Sequence, residues 1–224
     1  MSSSNVVVIP FSWDILEEFR VLNNSIKGIV EQNDTRDMSN IYEWFTQPGL
    51  DPVQNCVIAQ VDGDLIGYLI VVPELPIKRV VLEGGMVPGG DFEAGWEQLL
   101  NWGIARGRTI GALAAHFSVQ HNSTNLVDIV KDYGFRHVRS YWKMRCEKKS
   151  EFGVDALREL SIRTFGMGDE FLLAEIQNAS FSGQWGFCPN TPDQIYHRVH
   201  MTGASPSDVI FLLQEQEVVG YCWT

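Results

Sequence analysis

The chain repeats itself. Residues 14–28 read DILEEFRVLNNSIKG, and residues 169–183 read DEFLLAEIQNASFSG. At an offset of 155 (169 − 14), Asp14 meets Asp169, Asn23 meets Asn178, Ser25 meets Ser180 and Gly28 meets Gly183. At 154 (195 − 41), Ile41-Tyr42 meets Ile195-Tyr196, and at 153 (220 − 67), Gly67-Tyr68 meets Gly220-Tyr221. Three blocks in one order and near one offset mark a duplicated unit of about 150 residues, an ordinary domain size. The first copy has room for a whole unit, 1–150. The second, 158–224, stops at Thr224, the counterpart of Val71, and is expected to be the N-terminal part of a truncated second unit.

Composition narrows the function classes. The 224 residues are 45% apolar and 20% charged, which is neither disordered nor collagen-like and is enough to bury a core. Seventeen Lys and Arg against 28 Asp and Glu give a net charge of −11. That charge repels phosphate backbones and anionic lipid, so no nucleic-acid or membrane partner is expected. A local basic pocket for one anionic cofactor stays permitted. No run of about 18 apolar residues predicts a span. The start, MSSSNVVVIPF, lacks the basic region and long apolar run of a secretion signal, so a cytoplasmic protein is expected. Cys56, Cys146, Cys188 and Cys222 are far apart, with no CxxC and no histidine at zinc spacing. They read as buried free thiols, with no metal site.

Periodicity predicts the elements. Asn5–Phe11 is a β-branched strand, and Asp14 is placed to cap a helix carrying Ile15, Phe19, Leu22 and Ile26. A short helix, 38–46, ends before Pro48-Gly49. Strands at 56–61 and 65–72 flank Asp62-Gly63, a hairpin turn. A strand at 79–87 contains Gly84-Gly85, which signals a bulge or a close backbone approach. Helix 92–106, strand 112–119, helix 123–133 capped by Gly134 and strand 136–146 complete the first copy. In the second copy, strand 161–165, helices 169–180 and 192–201, and strands 208–214 and 218–224 follow the same order.

This order, with a strand–loop–helix after the third hairpin strand and a last helix ending Tyr133-Gly134-Phe135, resembles the GCN5-related N-acetyltransferase (GNAT) family. Asn178 to Phe187, followed by Pro189, Thr191 and Pro192, is similar to the early helix and loop of the C-terminal unit in tandem members similar to mycothiol synthase. The resemblance implies an α/β (α+β) fold, with a central mixed twisted sheet flanked by helices. It also implies acetyl-CoA as donor and an amine of a small molecule or peptide as acceptor. In such a fold the donor's pyrophosphate rests on loop amides and a helix N-terminus. The matching residues here are Met86, Val87, Gly89, Gly90, Ala94 and Gly95. A carboxylate base takes the amine proton, and an acid, often Tyr, protonates the leaving thiolate.

The chain departs from that pattern. The family's Arg/Gln-x-x-Gly-x-Gly/Ala run aligns with Asp91-Phe92-Glu93-Ala94-Gly95-Trp96. Asp91 and Glu93 weaken a pyrophosphate site and equally serve as ordinary first-turn acids. The acid position falls on Val130, and Tyr133 reads more naturally as a packing residue. Glu83 is the candidate base, or a solvent-facing strand carboxylate. His116 reads as a hydrogen-bonded core histidine, His121 and Asn122 as cap residues, and His197 and His200 as solvated. Phe181, Trp185 and Tyr196 form either core or the wall of an acceptor pocket. The main active site is therefore expected in the C-terminal unit. The alternative is a non-catalytic scaffold or ligand-binding module. The strand edge at Val218–Thr224, with Tyr221, Cys222 and Trp223, invites a homodimer.

Overall fold

The computed structural model describes residues 5–30, 35–120, 122–142, 144 and 160–224, without the side chains of 27–30. The chain divides into two compact units, Met1–Gly134 and Phe135–Thr224.

Unit 1 opens with β1 (Val7–Pro10), a 3-10 turn (Trp13–Ile15), α1 (Leu16–Val30), α2 (Met38–Phe45) and the one-turn α3 (Pro52–Asn55). It continues with β2 (Cys56–Val61), β3 (Asp64–Glu74), β4 (Arg79–Met86), α4 (Phe92–Thr109), β5 (Ala114–Phe117) and α5 (Thr124–Asp132). The strands form one sheet in the order β1-β2-β3-β4-β5, antiparallel except for the parallel pair β4–β5.

Local chemistry explains the boundaries. Ser12, rather than Asp14, caps the first turn, its hydroxyl accepting from the Asp14 N–H. Asp37 and Asn40 close a capping box on α2. Asp62 (φ 52°) and Gly63 (φ 93°) are both left-handed, as a two-residue hairpin turn requires. The Gly84-Gly85 pair makes no bulge, because β3 and β4 stay in register from Glu74↔Arg79 to Gly67↔Met86. The bulge lies instead in β2, between Ala59 and Gln60.

The sheet is packed on both faces. Phe11, Phe19, Leu22, Ile41, Phe45, Ile58, Tyr68 and Ile70 form the core beneath α1 and α2. On the other face α4 lies close against the sheet: a Cβ on its Gly103 would stand 2.4 Å from Leu69 Cδ2. Trp96, Leu99 and Leu100 of α4 are fully buried.

Unit 2 contains β6 (Leu160–Thr164), α6 (Glu170–Phe181), α7 (Pro192–Val199), β7 (Val209–Gln214) and β8 (Glu217–Trp223), the strands pairing antiparallel in that order. Its core is Phe165, Leu173, Ala174, Ile195, Val199, Val209 and Phe211. Arg163 holds Asp169 through two hydrogen bonds of 2.5 and 2.9 Å, and this keeps the Asp169 carboxyl below the usual carboxylate range.

Specific contacts of unit 1 recur in unit 2. Phe11 N–H donates to the Cys56 carbonyl and Phe165 N–H to the Val209 carbonyl, both at 3.0 Å. The Asn24 side chain clasps the backbone N–H and carbonyl of Arg36, twelve residues on, and Asn178 clasps Asn190 in the same way. Thr191 and Gln194 repeat the Asp37–Asn40 box. The β2 bulge recurs between Leu212 and Leu213, and the left-handed turn recurs at Glu215-Gln216. The helical pairs stand at an offset of 154 (178 − 24) and the strand pairs at 153 (212 − 59), so the partner of Asn178 is Asn24, not Asn23.

Two expectations are corrected. No strand forms at 136–142 or at 144, and the rest of the expected strand 136–146 lies outside the described residues. Val138, Tyr141, Trp142 and Met144 are exposed there, outside any sheet. The cysteines are not uniformly buried. Cys56 is buried, which pushes its thiol pKa up, Cys188 is half-buried, and Cys222 is exposed on the face of β8 opposite the core. Cys146 lies outside the described residues.

Candidate functional site

The parallel strands β4 and β5 pair only from Arg79↔Ala114 to Leu82↔Phe117. Beyond Leu82, β4 runs on through Glu83–Met86 with β3 on one side and no strand on the other among the described residues. The pairing with β5 therefore ends one residue before the candidate base, because β5 is only four residues long.

Glu83 is exposed and pairs with Ile70 of β3, while Gly85 pairs with Tyr68. Directly paired residues share a face, so Glu83, Ile70 and Tyr68 all lie on the α1 side. Three groups that sequence reasoning missed surround this face. Asn23 of α1 is fully buried and donates to the Tyr68 hydroxyl at 2.7 Å. Arg36 stacks its guanidinium over Trp44, 4.3 Å from the ring centroid. The Trp44 and Tyr68 rings meet edge-on at 6.5 Å. Burial pushes the Tyr68 hydroxyl up to about 12, so it keeps its proton at neutral pH, with Arg36 and Asn23 pulling the other way and Glu83 adding slightly to the rise.

Among the described residues two polar atoms in this group have no hydrogen-bond partner, the buried Asn23 Oδ1 and Arg36 Nη1. Each such atom costs about 1–3 kcal/mol. The only sequence signal was the repeat, which drew attention to Asn23 and Tyr68 as aligned residues. Arg36 and Trp44 carry no motif.

The expected cofactor residues divide into two sets. Gly89, Gly90 and Ala94 are exposed around the N-terminus of α4, and a Cβ on either glycine would meet nothing within 4 Å. The other three face inward. Met86 packs on Gly95, where a Cβ would stand 2.7 Å from its sulfur, and the Val87 N–H is committed to the Ile66 carbonyl at 2.8 Å. The Asp91 side chain makes no cap on α4, and Glu93 adds a second acid to its first turn. The loop thus has room for a donor's phosphates, but its side-chain charge opposes them.

Tyr133 is tied down structurally, its hydroxyl donating to the Glu97 carbonyl at 3.2 Å, and Val130 is buried. His116 is half-buried on β5 with Nδ1 3.2 Å from Arg79, and burial followed by the Arg79 charge lowers its pKa. Arg79, itself buried, is also paired with Glu74. His121 lies outside the described residues.

The aromatic group of unit 2 does not converge. Phe181 stacks on Phe187 at 5.6 Å, Trp185 lies under Arg139 at 5.5 Å, and Tyr196 stacks on His200 at 4.2 Å. All three are partly exposed, each with a different neighbour. Among the described residues no three His, Cys, Asp or Glu side chains group at metal-binding distance.

Neither a protein-family model nor a curated protein matches this sequence. Solved structures do. A GCN5-related N-acetyltransferase from Sphaerobacter thermophilus superposes over 97% of this chain and 71% of its own, with a TM-score of 0.67 at 17% identity. The chain has the GCN5-related N-acetyltransferase fold. An aminoglycoside N-acetyltransferase, AAC(6')-Iy, in complex with CoA matches 65% of this chain and 97% of its own, with a TM-score of 0.50 at 17% identity. No helix among the described residues is long and apolar enough to cross a membrane.

Proposed function

We propose that this protein acts in the transfer of an acetyl group from acetyl-CoA to an amine. The carrying observation is that β5 pairs with β4 only as far as Leu82, so that β4 outruns it toward the α4 N-terminus, where an extended donor arm would lie. In this reading Glu83 accepts the amine proton, Gly89, Gly90 and Ala94 border the donor's phosphates, and the adjoining face of α1 and α2 receives the acceptor. Residues 158–224 form the N-terminal part of a second unit of the same kind, with Phe181, Trp185 and Tyr196 on its acceptor side. The principal turnover site is assigned to that C-terminal unit, because the acids at Asp91 and Glu93 and the buried Val130 weaken unit 1. The protein is taken to be cytoplasmic.

The same acids favour a second reading, in which unit 1 is a scaffold that has kept the fold and lost the chemistry. Calorimetric titration of residues 1–224 with CoA, paired with an acetyl-transfer assay on small amines, separates the two. Weak but saturable CoA binding and slow turnover are expected. No detectable CoA binding would favour the scaffold.

We also assign the outer edge of β8 to pairing with a second copy of the chain. It is seven residues long, carries neither Pro nor Lys, and bears its one charge at its end, Glu217. Light scattering on a size-exclusion column should give twice the monomer mass. A monomer at all concentrations would remove this assignment.

A further inference from the structure

The two units provide an internal control for the polar group beneath α1. In unit 2 the counterparts of Tyr68, Asn23, Arg36 and Trp44 are Tyr221, Gln177, Asn190 and Arg198. Three of them are linked in series: Asn190 Nδ2 donates to Gln177 Oε1 at 3.1 Å, and Arg198 Nη1 donates to Asn190 Oδ1 at 2.9 Å. Gln177 also lies near the Tyr221 hydroxyl, where it opposes the rise that burial gives the Tyr221 pKa. In unit 1 the series is broken in the middle. Asn23 reaches Tyr68 and Arg36 covers Trp44, but among the described residues no bond corresponds to Asn190–Gln177, and Arg36 Nη1 and Asn23 Oδ1 are both buried without a partner there.

The Asn24 clasp holds the Arg36 backbone to α1 one residue from Asn23, so both ends of the gap are anchored to the same helix. One end is a cationic N–H donor. The other is an amide oxygen, which only accepts. A group that completes the series must accept from a guanidinium and donate to an amide. A carboxylate answers the first in charge and geometry, and an amine or ammonium hydrogen answers the second.

We infer that unit 1 holds a recognition site for a small molecule carrying both a carboxylate and an amine, the carboxylate on Arg36 and the amine hydrogen on Asn23 Oδ1. The guanidinium is already stacked on Trp44, so little ordering of the Arg36 side chain is needed on binding. Glu83 lies on the same face of the sheet, and if the acetyl-transfer reading holds, this ligand class is the acceptor. The binding itself does not depend on that reading.

The test is calorimetry and amide NMR on residues 1–224 with L-alanine, L-alaninamide and propionate as probes. L-Alanine should bind saturably and move the Asn23, Asn24 and Arg36 resonances. Removing either charged group should weaken binding at least about tenfold, the scale of one charge-assisted hydrogen bond. Arg36→Met, which keeps an apolar stem over Trp44, should abolish the preference for L-alanine over L-alaninamide. The triple variant Asn23→Gln, Arg36→Asn, Trp44→Arg copies the linked side chains of unit 2, and should stay folded and fail to bind. Equal binding of the three probes, no saturable binding of L-alanine, or wild-type binding by the triple variant would each overturn the inference. CoA titrated into the same sample keeps the two ideas apart. CoA binding without L-alanine binding removes this inference alone, and the converse removes the acetyl-transfer reading alone.

Discussion

Gly84→Ala should destabilise unit 1 by about 2–3 kcal/mol, more than an added methyl group costs at most buried positions. A Cβ at Gly84 would stand 2.6 Å from the Tyr68 carbonyl oxygen and 2.8 Å from Leu69 Cδ1. The first of these is a backbone atom in the middle of the β3–β4 ladder, so it has no rotamer by which to escape. The two strands must separate, and Tyr68 moves with them, taking the Asn23 contact out of place. Gly89→Ala is the matched control, since nothing lies within 4 Å of its added carbon and its change should stay within about 0.5 kcal/mol. Urea denaturation of the two variants against the parent measures both. Equal midpoints for all three proteins would mean that β3 and β4 do not approach each other as closely as described.

Glu83→Gln should lower kcat/KM for the slow acetyl transfer proposed for unit 1 by about 100-fold while leaving the CoA dissociation constant unchanged, because an amide of the same shape cannot accept the amine proton. The position is well suited to show this. Glu83 sits at the first residue of β4 beyond β5, is exposed, and shares a face with the acceptor-side residues Tyr68 and Asn23. An unchanged rate at saturating amine would make Glu83 an ordinary surface carboxylate and move the search for a base elsewhere.

Much of the fold was legible because its signals are local. The Asp62-Gly63 turn, the Pro-initiated α7 and the helical spacing of Ile15, Phe19, Leu22 and Ile26 each depend on residues a few places apart. The misreadings came where neighbours in space decide. Gly84-Gly85 read equally well as a bulge, and only the intact β3–β4 register settles it in favour of close approach. Asp14 and Ser12 are both good caps, and the strand leading out of β1 selects Ser12. Val138, Tyr141 and Trp142 suggested a strand at 136–142, but these side chains are exposed and the segment joins no sheet.

The candidate site follows the same rule. Glu83 and the loop glycines could be named from their place along the chain. Asn23, Arg36, Trp44 and Tyr68 could not, because Asn23 and Tyr68 are 45 residues apart and meet only after α1 has packed on the sheet. By itself the sequence determined the order of elements and their duplication, since hydrophobic period and turn chemistry are written within a turn or two of chain. The tertiary structure alone decided that unit 2 links these polar side chains in series and that unit 1 leaves Arg36 Nη1 and Asn23 Oδ1 without a partner among the described residues. Whether a buried donor meets its acceptor depends on groups brought together from distant segments, and no local pattern records that meeting.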